Sequence, residues 1–308
     1  MNGMTRRHPP GRLLRRAGFT LVELMVSVLI GFAVVGALLA AYMAAFRSTA
    51  HNDALSQLTE DATLALSVMR GQAAMAGYST PYKVDPVAQV MLPHTFPPIY
   101  GCAGSNFATP FTGILTPLPC TGVSASDTLE VAYEVHDNTY AGGPSNAVLN
   151  AAGLPLDCLG NVIPITAVEG GYYLADSKFY VSGGKLYCQG PGSLTGAPLV
   201  DNVDQMTVRY GYADANPAKD TSSRIAAYMQ APAVPPDAAR DPANPWSHAM
   251  SITICVVVRS TSKAIEPGGT GPNPLAVYVD CDGNTQYSPD GLLRRSFSTT
   301  VVVQSKIM

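Results

Sequence analysis

The sequence predicts an α+β fold in which one long N-terminal helix packs on an antiparallel β-sheet head. Two observations support this prediction: a helical pattern that continues from Phe19 to Ala76, and short stretches of alternating apolar and polar residues that dominate after residue 126. A helix followed by a run of strands is typical of α+β domains. With 308 residues, of which 47% are hydrophobic, the chain is large and apolar enough for a substantial core.

Residues 1–18 form a short basic segment. Its charged residues are all arginines, although the formal net charge of the whole chain is -3: Arg6, Arg7, Arg12, Arg15 and Arg16. Basic residues beside an apolar segment favour the cytoplasmic side of a membrane. The rest of the chain is acidic and lacks a cluster of Lys and Arg, which argues against a nucleic-acid partner.

Residues 19–46 form an apolar segment of membrane-spanning length. A bilayer span needs about 20 apolar residues, whereas the apolar core of a cleaved secretory signal has about 7 to 15. One carboxylate, Glu23, lies close to the start of the segment. A charged side chain at the centre of a bilayer costs at least about 2.5 kcal/mol, and it costs less near the membrane surface. Glu23 is therefore either tolerated at the membrane surface or paired with a positive charge.

Residues 47–77 continue the helix in amphipathic form, and Gly77 is the predicted stop. The apolar stripe predicts packing against a sheet, and it comprises Leu55, Leu58, Ala62, Ala65, Leu66, Met69, Ala73 and Ala76. The predicted solvated face comprises Asp53, Gln57, Glu60, Asp61 and Gln72.

Residues 78–308 form the predicted β-rich head. Residues 78–126 are interpreted as an extended loop, and residues 214–246 as a Pro-rich surface excursion that ends at Trp246. The pair Gly183-Gly184 lies between two predicted strands, 178–182 and 185–188, and is the strongest hairpin signal in the sequence. Strands are predicted at 128–133, 178–182, 185–188, 204–212, 251–258, 275–279 and 296–303, and no internal repeat is recognised.

Six cysteines lie beyond the apolar segment: Cys102, Cys120, Cys158, Cys188, Cys255 and Cys281. Their even number, their scatter and the absence of a C-x-x-C pair favour disulfides over a zinc site or a redox motif. Fifteen pairings are possible and the sequence does not choose between them. The sequential pairing is our working expectation.

The junction Arg16-Ala17-Gly18-Phe19-Thr20-Leu21-Val22-Glu23 resembles the prepilin leader junction of type IV pilins and type II secretion pseudopilins. The resemblance implies that a membrane aspartyl peptidase cuts between Gly18 and Phe19 and methylates the new terminus at Phe19. It also implies that Glu23 compensates the terminal amine of a neighbouring subunit during filament assembly. Such pairing would select one axial register, because an unpaired buried charge is costly.

Four later segments narrow the resemblance to the PilW family of type IV pilus minor pilins: residues 102–106, 203–211, 255–260 and 294–302. The resemblance implies a structural, non-enzymatic minor pilin without a cofactor, incorporated into pili and acting in a tip complex that primes assembly. The implied partners are other minor pilins, the major pilin, a tip adhesin, the prepilin peptidase and the inner-membrane assembly platform. The single-pass protein would hold its head in the periplasm, and then outside the cell in the pilus.

Two alternatives remain open. The first is a J-type pseudopilin of the type II secretion system, which shares the leader and the helix. The second is a membrane-anchored calcium-dependent binder, because Asp280, Asp282 and Asn284 resemble the opening of a calcium loop. That pattern departs at Gly291, where the calcium loop has glutamate, so an Asx-rich turn fixed by Cys281 competes with it. Hydrolase and nucleotide-binding motifs are absent from the sequence.

Overall fold

The structure is a computed structural model that describes residues 18, 20–84, 91–93, 97–108, 119–136, 146–166, 171–193, 195–212, 224–233, 244–263 and 277–303. One long helix, α1 (Leu21–Ala74), precedes fifteen strands within these residues. The chain divides into two compact units, residues 1–50 and residues 51–308. The α+β class predicted from the sequence is confirmed.

Helix α1 ends where the sequence predicts. A turn follows Ala74, and Gly77 adopts the left-handed conformation with φ 73°. The Gly77 N–H donates to the Ala132 carbonyl at 2.8 Å, and the Tyr78 N–H donates to the Met75 carbonyl at 2.9 Å. Glycine suits this position because its missing Cβ removes the penalty of a positive φ.

The buried stripe of α1 is narrower and richer in alanine than predicted. Its members are at most 3% exposed: Ala54, Leu58, Ala62, Ala65, Met69 and Ala73. Ala76, in the turn after the helix, is buried as well. Leu55 and Leu66 flank this stripe and are only partly buried. Two glutamines assigned to the solvated face instead contact strands. Gln72 Oε1 accepts from the Tyr133 hydroxyl at 3.0 Å, and Gln57 Oε1 accepts from the Thr261 hydroxyl at 2.8 Å.

Five antiparallel strands form the first large sheet, sheet I, in the order β3-β6-β7-β8-β9. They are β3 (Ile99–Cys102), β6 (Thr128–Val135), β7 (Tyr173–Ser182), β8 (Lys185–Gln189) and β9 (Ala197–Asp201). The hairpin predicted at Gly183-Gly184 joins β7 to β8, and both glycines have positive φ. Alternate residues such as Leu129, Val131 and Phe179 face the core.

Four antiparallel strands form sheet II, in the order β11-β10-β12-β15. They are β10 (Val203–Tyr212), β11 (Ala227–Met229), β12 (Ser251–Lys263) and β15 (Leu292–Val302). The predicted face of β10 is buried throughout: Met206, Val208, Tyr210 and Tyr212. The single sheet expected from the sequence is therefore two sheets, because the strands after Val203 pair among themselves.

Asp127, the residue before β6, joins sheet I to β10 by hydrogen bonds. Asp127 Oδ1 accepts from the Gly104 N–H and Oδ2 from the Val208 N–H, both at 2.8 Å. Its own N–H donates to the Met206 carbonyl at 2.8 Å. Burial raises the pKa of Asp127 above its ordinary value, although the two backbone donors oppose the shift.

Two loop predictions are corrected. Residues 78–126 contain β1 (Pro81–Val84), β2 (Met91–Pro93), β4 (Asn106–Phe107) and β5 (Cys120–Thr121) besides β3, so this region is not a plain extended loop. Trp246 lies in a short 3-10 helix (Pro245–His248) and is 1% exposed, not on a surface excursion. Its ring contacts Tyr100 and Tyr210 edge-on, with centroids 5.4 Å and 4.9 Å away. Aromatic pairs favour this arrangement.

Three disulfides join cysteines that are consecutive in the sequence: Cys102–Cys120, Cys158–Cys188 and Cys255–Cys281. The third attaches a hairpin, β13 (Val277–Val279) and β14 (Thr285–Tyr287), to β12. This is the sequential pairing named as the working expectation.

Candidate functional site

Thr20 and Glu23 form a capping box at the N-terminus of α1. The Glu23 N–H donates to Thr20 Oγ1 at 3.2 Å, while the Thr20 N–H and hydroxyl both donate to Glu23 Oε2 at 3.1 Å. These bonds satisfy donors that the first helical turn leaves without partners. They also place a carboxylate at the positive end of the helix dipole. Glu23 therefore completes the start of its own helix.

Glu23 keeps one carboxylate oxygen available. Oε2 takes both bonds from Thr20, and Oε1 makes no hydrogen bond to any residue that the structure describes. Glu23 is exposed. A carboxylate can accept several hydrogen bonds. The Glu23 carboxylate can therefore cap its own helix and bind an external cation at the same time. Thr20 was not among the predicted site residues, although T-x-x-E before an apolar run is the signal of a capping box.

Gly18 lies beside this capping box, and Phe19 lies outside the described residues. Gly18 is exposed, and a Cβ added there would meet nothing within 4 Å. Among the described residues a side chain at position 18 therefore meets no obstacle.

The first part of α1 presents apolar side chains around its whole circumference. Leu21 is 76% exposed and Phe46 is 65% exposed, and the large apolar residues between them are exposed as well. The most apolar 18-residue window has a mean hydropathy of 2.6, and none of it is buried. By length and composition the helix can cross a membrane.

The candidate calcium residues form a self-contained turn. Asp280 Oδ1 accepts from the Asp282 N–H at 3.0 Å and from the Asn284 N–H at 2.8 Å, and Oδ2 accepts from Gln286 Nε2 at 2.9 Å. Asp282 Oδ1 pairs with Arg209 Nη2 at 2.5 Å. Among the described residues no group of three acidic, His or Cys side chains could hold a metal. Both carboxylate oxygens of Asp280 are thus engaged in an Asx turn, and one oxygen of Asp282 is engaged in an ion pair.

The same five-residue turn occurs earlier in the head, so the sequence does contain a short repeat. Asp157-Cys158-Leu159-Gly160-Asn161 matches Asp280-Cys281-Asp282-Gly283-Asn284 at four positions. Asp157 Oδ1 accepts from the Leu159 and Asn161 N–H groups, both at 2.9 Å, and Gly160 and Gly283 have φ 79° and 83°. A third loop, Asn150–Leu154, has the same hydrogen bonds without a cysteine. Asx and glycine define this turn.

A buried ionic cluster lies on the face of sheet I opposite Leu129 and Val131. Lys178 Nζ lies 2.7 Å from Asp176 Oδ2 and 3.2 Å from Glu130 Oε1, and the lysine and Asp176 are almost fully buried. Glu130 Oε2 and Asp176 Oδ1 have no hydrogen-bond partner among the described residues. Burial, together with the nearby Asp176 charge, raises the pKa of Glu130 to about 8. The cluster therefore retains one proton near neutral pH.

Two parts of the chain match known family models. Residues 171–305 match PilW, the type IV pilus-assembly protein W family, and residues 13–39 match the prokaryotic N-terminal methylation motif. Residues 171–305 are thus similar to the PilW family over less than half of the chain. The methylation motif and the apolar helix indicate a membrane-anchored pilin.

Solved structures with similar folds include pilin-like proteins. A type IV-like pilin from Thermus thermophilus is 13% identical, with a TM-score of 0.38, and the match covers 82% of this chain and 98% of that chain. A chain of the GspK-GspI-GspJ complex of the enterotoxigenic Escherichia coli type 2 secretion system is 8% identical, with a TM-score of 0.30 and coverages of 80% and 96%. At these TM-scores neither resemblance adds to the family assignment. No curated protein matches the chain.

Proposed function

We propose that the protein is a structural minor pilin that is cut between Gly18 and Phe19, methylated at Phe19 and incorporated into type IV pili. The capping box supports this proposal most directly, because it holds the Glu23 carboxylate at the helix start with one oxygen available. The positively charged terminal amine of a neighbouring subunit is the cation that would bind there. The pair forms only when two helices have the correct axial register, so it acts as a checkpoint of assembly.

The exposed apolar part of α1 supplies the remainder of the proposed mechanism. Before assembly it anchors the protein in the inner membrane, with the head in the periplasm. After assembly the same surface packs against other pilin helices in the filament. The proposed partners are other minor pilins, the major pilin and a tip adhesin, together with the prepilin peptidase and the assembly platform. The PilW match favours a pilus over a secretion pseudopilus.

Processing and incorporation test the proposal separately. Gly18→Ala should leave the precursor uncut, because a Cβ at this position meets no described residue and the peptidase is proposed to require glycine there. Ala17→Gly is the matched control and should be cut normally. Intact-protein mass spectrometry reads both results, and a Gly18→Ala chain with the mature terminus would overturn the cleavage assignment.

The proposed role of Glu23 in assembly is tested by measuring how much of the protein enters pili. Glu23→Ala should lower the amount of this protein in sheared pili at least tenfold relative to the major pilin, while its amount in the inner membrane stays constant. Glu60→Ala is the matched control, because Glu60 is an exposed carboxylate on the same helix within the head. Normal incorporation of the Glu23→Ala chain would exclude the charge pair.

In cells that cannot retract pili, deletion of the gene should lower the number of pili, since the protein is proposed to prime assembly.

A further inference from the structure

Strand β15 forms one edge of sheet II, and its second half lacks the features that usually protect an edge. Within the described part of the chain it pairs with β12 alone, and it has eleven residues. Its last seven residues are Ser296-Phe297-Ser298-Thr299-Thr300-Val301-Val302, with no charge, proline or glycine. An edge with exposed backbone groups and no such residues is a template for another strand.

The other edges of the two sheets are blunted. Strand β9 has five residues, contains Pro198 and shifts register against β8. Strand β11 has three residues and β3 has four. Short strands, prolines and bulges are the usual means of preventing edge pairing. Among the described residues, three edges are therefore protected and the second half of β15 is open.

The free hydrogen-bonding groups of β15 belong to alternate residues. The Val303 N–H donates to the Met250 carbonyl at 2.9 Å, so the odd-numbered residues of this strand point their backbone groups toward β12. The backbone groups of Ser296, Ser298, Thr300 and Val302 therefore point away from the sheet. Their side chains are small, and those of Ser298, Thr300 and Val302 are exposed. A second strand can approach this row without obstruction from bulky side chains.

A cavity beside the first half of β15 extends this edge and carries positive charge. It has a volume of about 360 Å³ and lies between β13 and β15, where the two strands do not pair. Arg295 lines the cavity, is exposed and forms no ion pair with any described residue. His51 also lines it, and the buried Nδ1 of His51 has no described partner. A carboxylate is the group that complements this end of the edge.

We infer that the β15 edge is a docking site for an extended strand of a partner subunit, which adds to sheet II along Ser296–Val302 and places a carboxylate at Arg295. Main-chain hydrogen bonds supply the affinity in this mode of binding, and the position of the carboxylate fixes the direction and register of the added strand. This inference rests on the proposed function, because it assigns a contact surface to the same assembled pilin.

Amide hydrogen exchange on the full chain tests the inference at single-residue resolution. In the detergent-solubilised protein the amides of Ser298, Thr300 and Val302 should exchange rapidly, while those of Thr299 and Val301 are protected by β12. In sheared pili the first three should slow at least a hundredfold. If they exchange equally fast in pili, or are already protected in the solubilised protein, the inference is wrong.

A crosslinking experiment in cells provides a second readout. A benzoylphenylalanine photocrosslinker at Thr300 should form a bond with one extended segment of one partner subunit, as mapped by peptide mass spectrometry. Ser298→Pro removes an outward N–H without removing a bond to β12 and should lower the yield at least tenfold. Ser298→Lys, which adds a charge to the edge, should do the same if the proline variant folds poorly, whereas Ser298→Ala should crosslink normally.

The outcomes separate this inference from the proposed function. Protein that is abundant in pili but shows neither slowed exchange nor a segment-specific crosslink overturns the docking edge alone. A crosslink within the chain itself, or one insensitive to Ser298→Pro and Ser298→Lys, also overturns it. Protein that is absent from pili but keeps the segment-specific crosslink overturns the pilus assignment and leaves the edge intact. Arg295→Glu should lower the crosslink yield at least threefold. An unchanged yield would show that the partner strand places no carboxylate at Arg295.

Discussion

Asp157 and Asp280 are equivalent residues in two turns of the same sequence and geometry. Each accepts from the backbone N–H groups two and four residues later, and each precedes a cysteine whose disulfide reaches a strand of a large sheet. Asp157 also accepts from the Gly192 N–H at 3.2 Å through its second oxygen. The same five-residue turn, followed by a disulfide from its second residue, thus holds two loops of the head in place.

Replacing these aspartates should destabilise the head without affecting a metal site. Asp280→Ala removes the acceptor of two backbone donors and should lower the free energy of unfolding by about 2 kcal/mol. Asp280→Asn keeps the Oδ1 acceptor and should cost less than about 1 kcal/mol. Urea unfolding of the full chain in detergent measures both values. Calcium should leave the unfolding midpoint unchanged, and a calcium-dependent increase that Asp280→Ala abolishes would support the calcium loop.

The buried cluster around Lys178 predicts lower stability at high pH. The pKa of Glu130 is raised from its ordinary value of 4.5 to about 8 on folding, so folding takes up a proton. This contribution is complete below about pH 4 and is lost as the pH rises through 8, with a total on the order of a few kcal/mol. Melting temperatures between pH 5 and 9 should therefore fall with pH.

Glu130→Gln is the matched variant for this pH dependence. The amide has nearly the same shape and does not titrate, so the fall in melting temperature between pH 5 and 9 should be much smaller than in the parent chain. An equal slope in both proteins would show that Glu130 is ionised in the folded head near neutral pH.

The close approach of Gly101 to Tyr210 predicts a steric limit. A Cβ at position 101 would overlap the Tyr210 hydroxyl oxygen and the Thr128 carbonyl oxygen. Gly101→Ala should therefore lower the free energy of unfolding by at least about 2 kcal/mol. Tyr210→Phe should be neutral or stabilising by about 1 kcal/mol, because its buried hydroxyl has no described partner. The double variant should regain only part of the loss, since the Thr128 carbonyl remains in place.

Thr20 is predicted to act through Glu23. Thr20→Ala removes the capping box, which is worth about 1 kcal/mol of helix stability, and should lower incorporation into pili less than Glu23→Ala does. Thr20→Ser keeps the hydroxyl and should behave as the parent. The double variant Thr20→Ala, Glu23→Ala should be no worse than Glu23→Ala, as measured by quantitative mass spectrometry of sheared pili. Additive losses would indicate that Thr20 has a separate contact.

Local patterns made much of the fold predictable from the sequence. The helix stop at Gly77, the Gly183-Gly184 hairpin and the buried face of β10 each depend on a few neighbouring residues, and the structure contains all three. The division into two sheets depends on which distant strands pair, and periodicity does not specify that. Trp246 was misplaced for a similar reason, since its core contacts come from strands far away in the sequence.

The candidate site was predictable in part, and the missed features have recognisable signals. Thr20 differs from its neighbours only in its spacing from Glu23, which matches a capping box. The two D-C-x-G-N turns are too short for a search for domain-sized repeats. Gln57 and Gln72 were assigned to solvent because glutamine is polar, although a half-buried amide can bridge a helix and a strand when a hydroxyl faces it.

The connectivity of the three disulfides has a consequence for how the head matures. The partners are separated by 18, 30 and 26 residues, and no bridge encloses or interleaves with another. A chain that crosses a membrane in order from its anchored end can close each bridge as soon as the second cysteine emerges, while the next cysteine is still on the other side. Oxidation then needs an electron acceptor but no reshuffling of wrong pairs. For the proposed periplasmic head, the order of translocation would therefore favour this pairing among the fifteen possible ones.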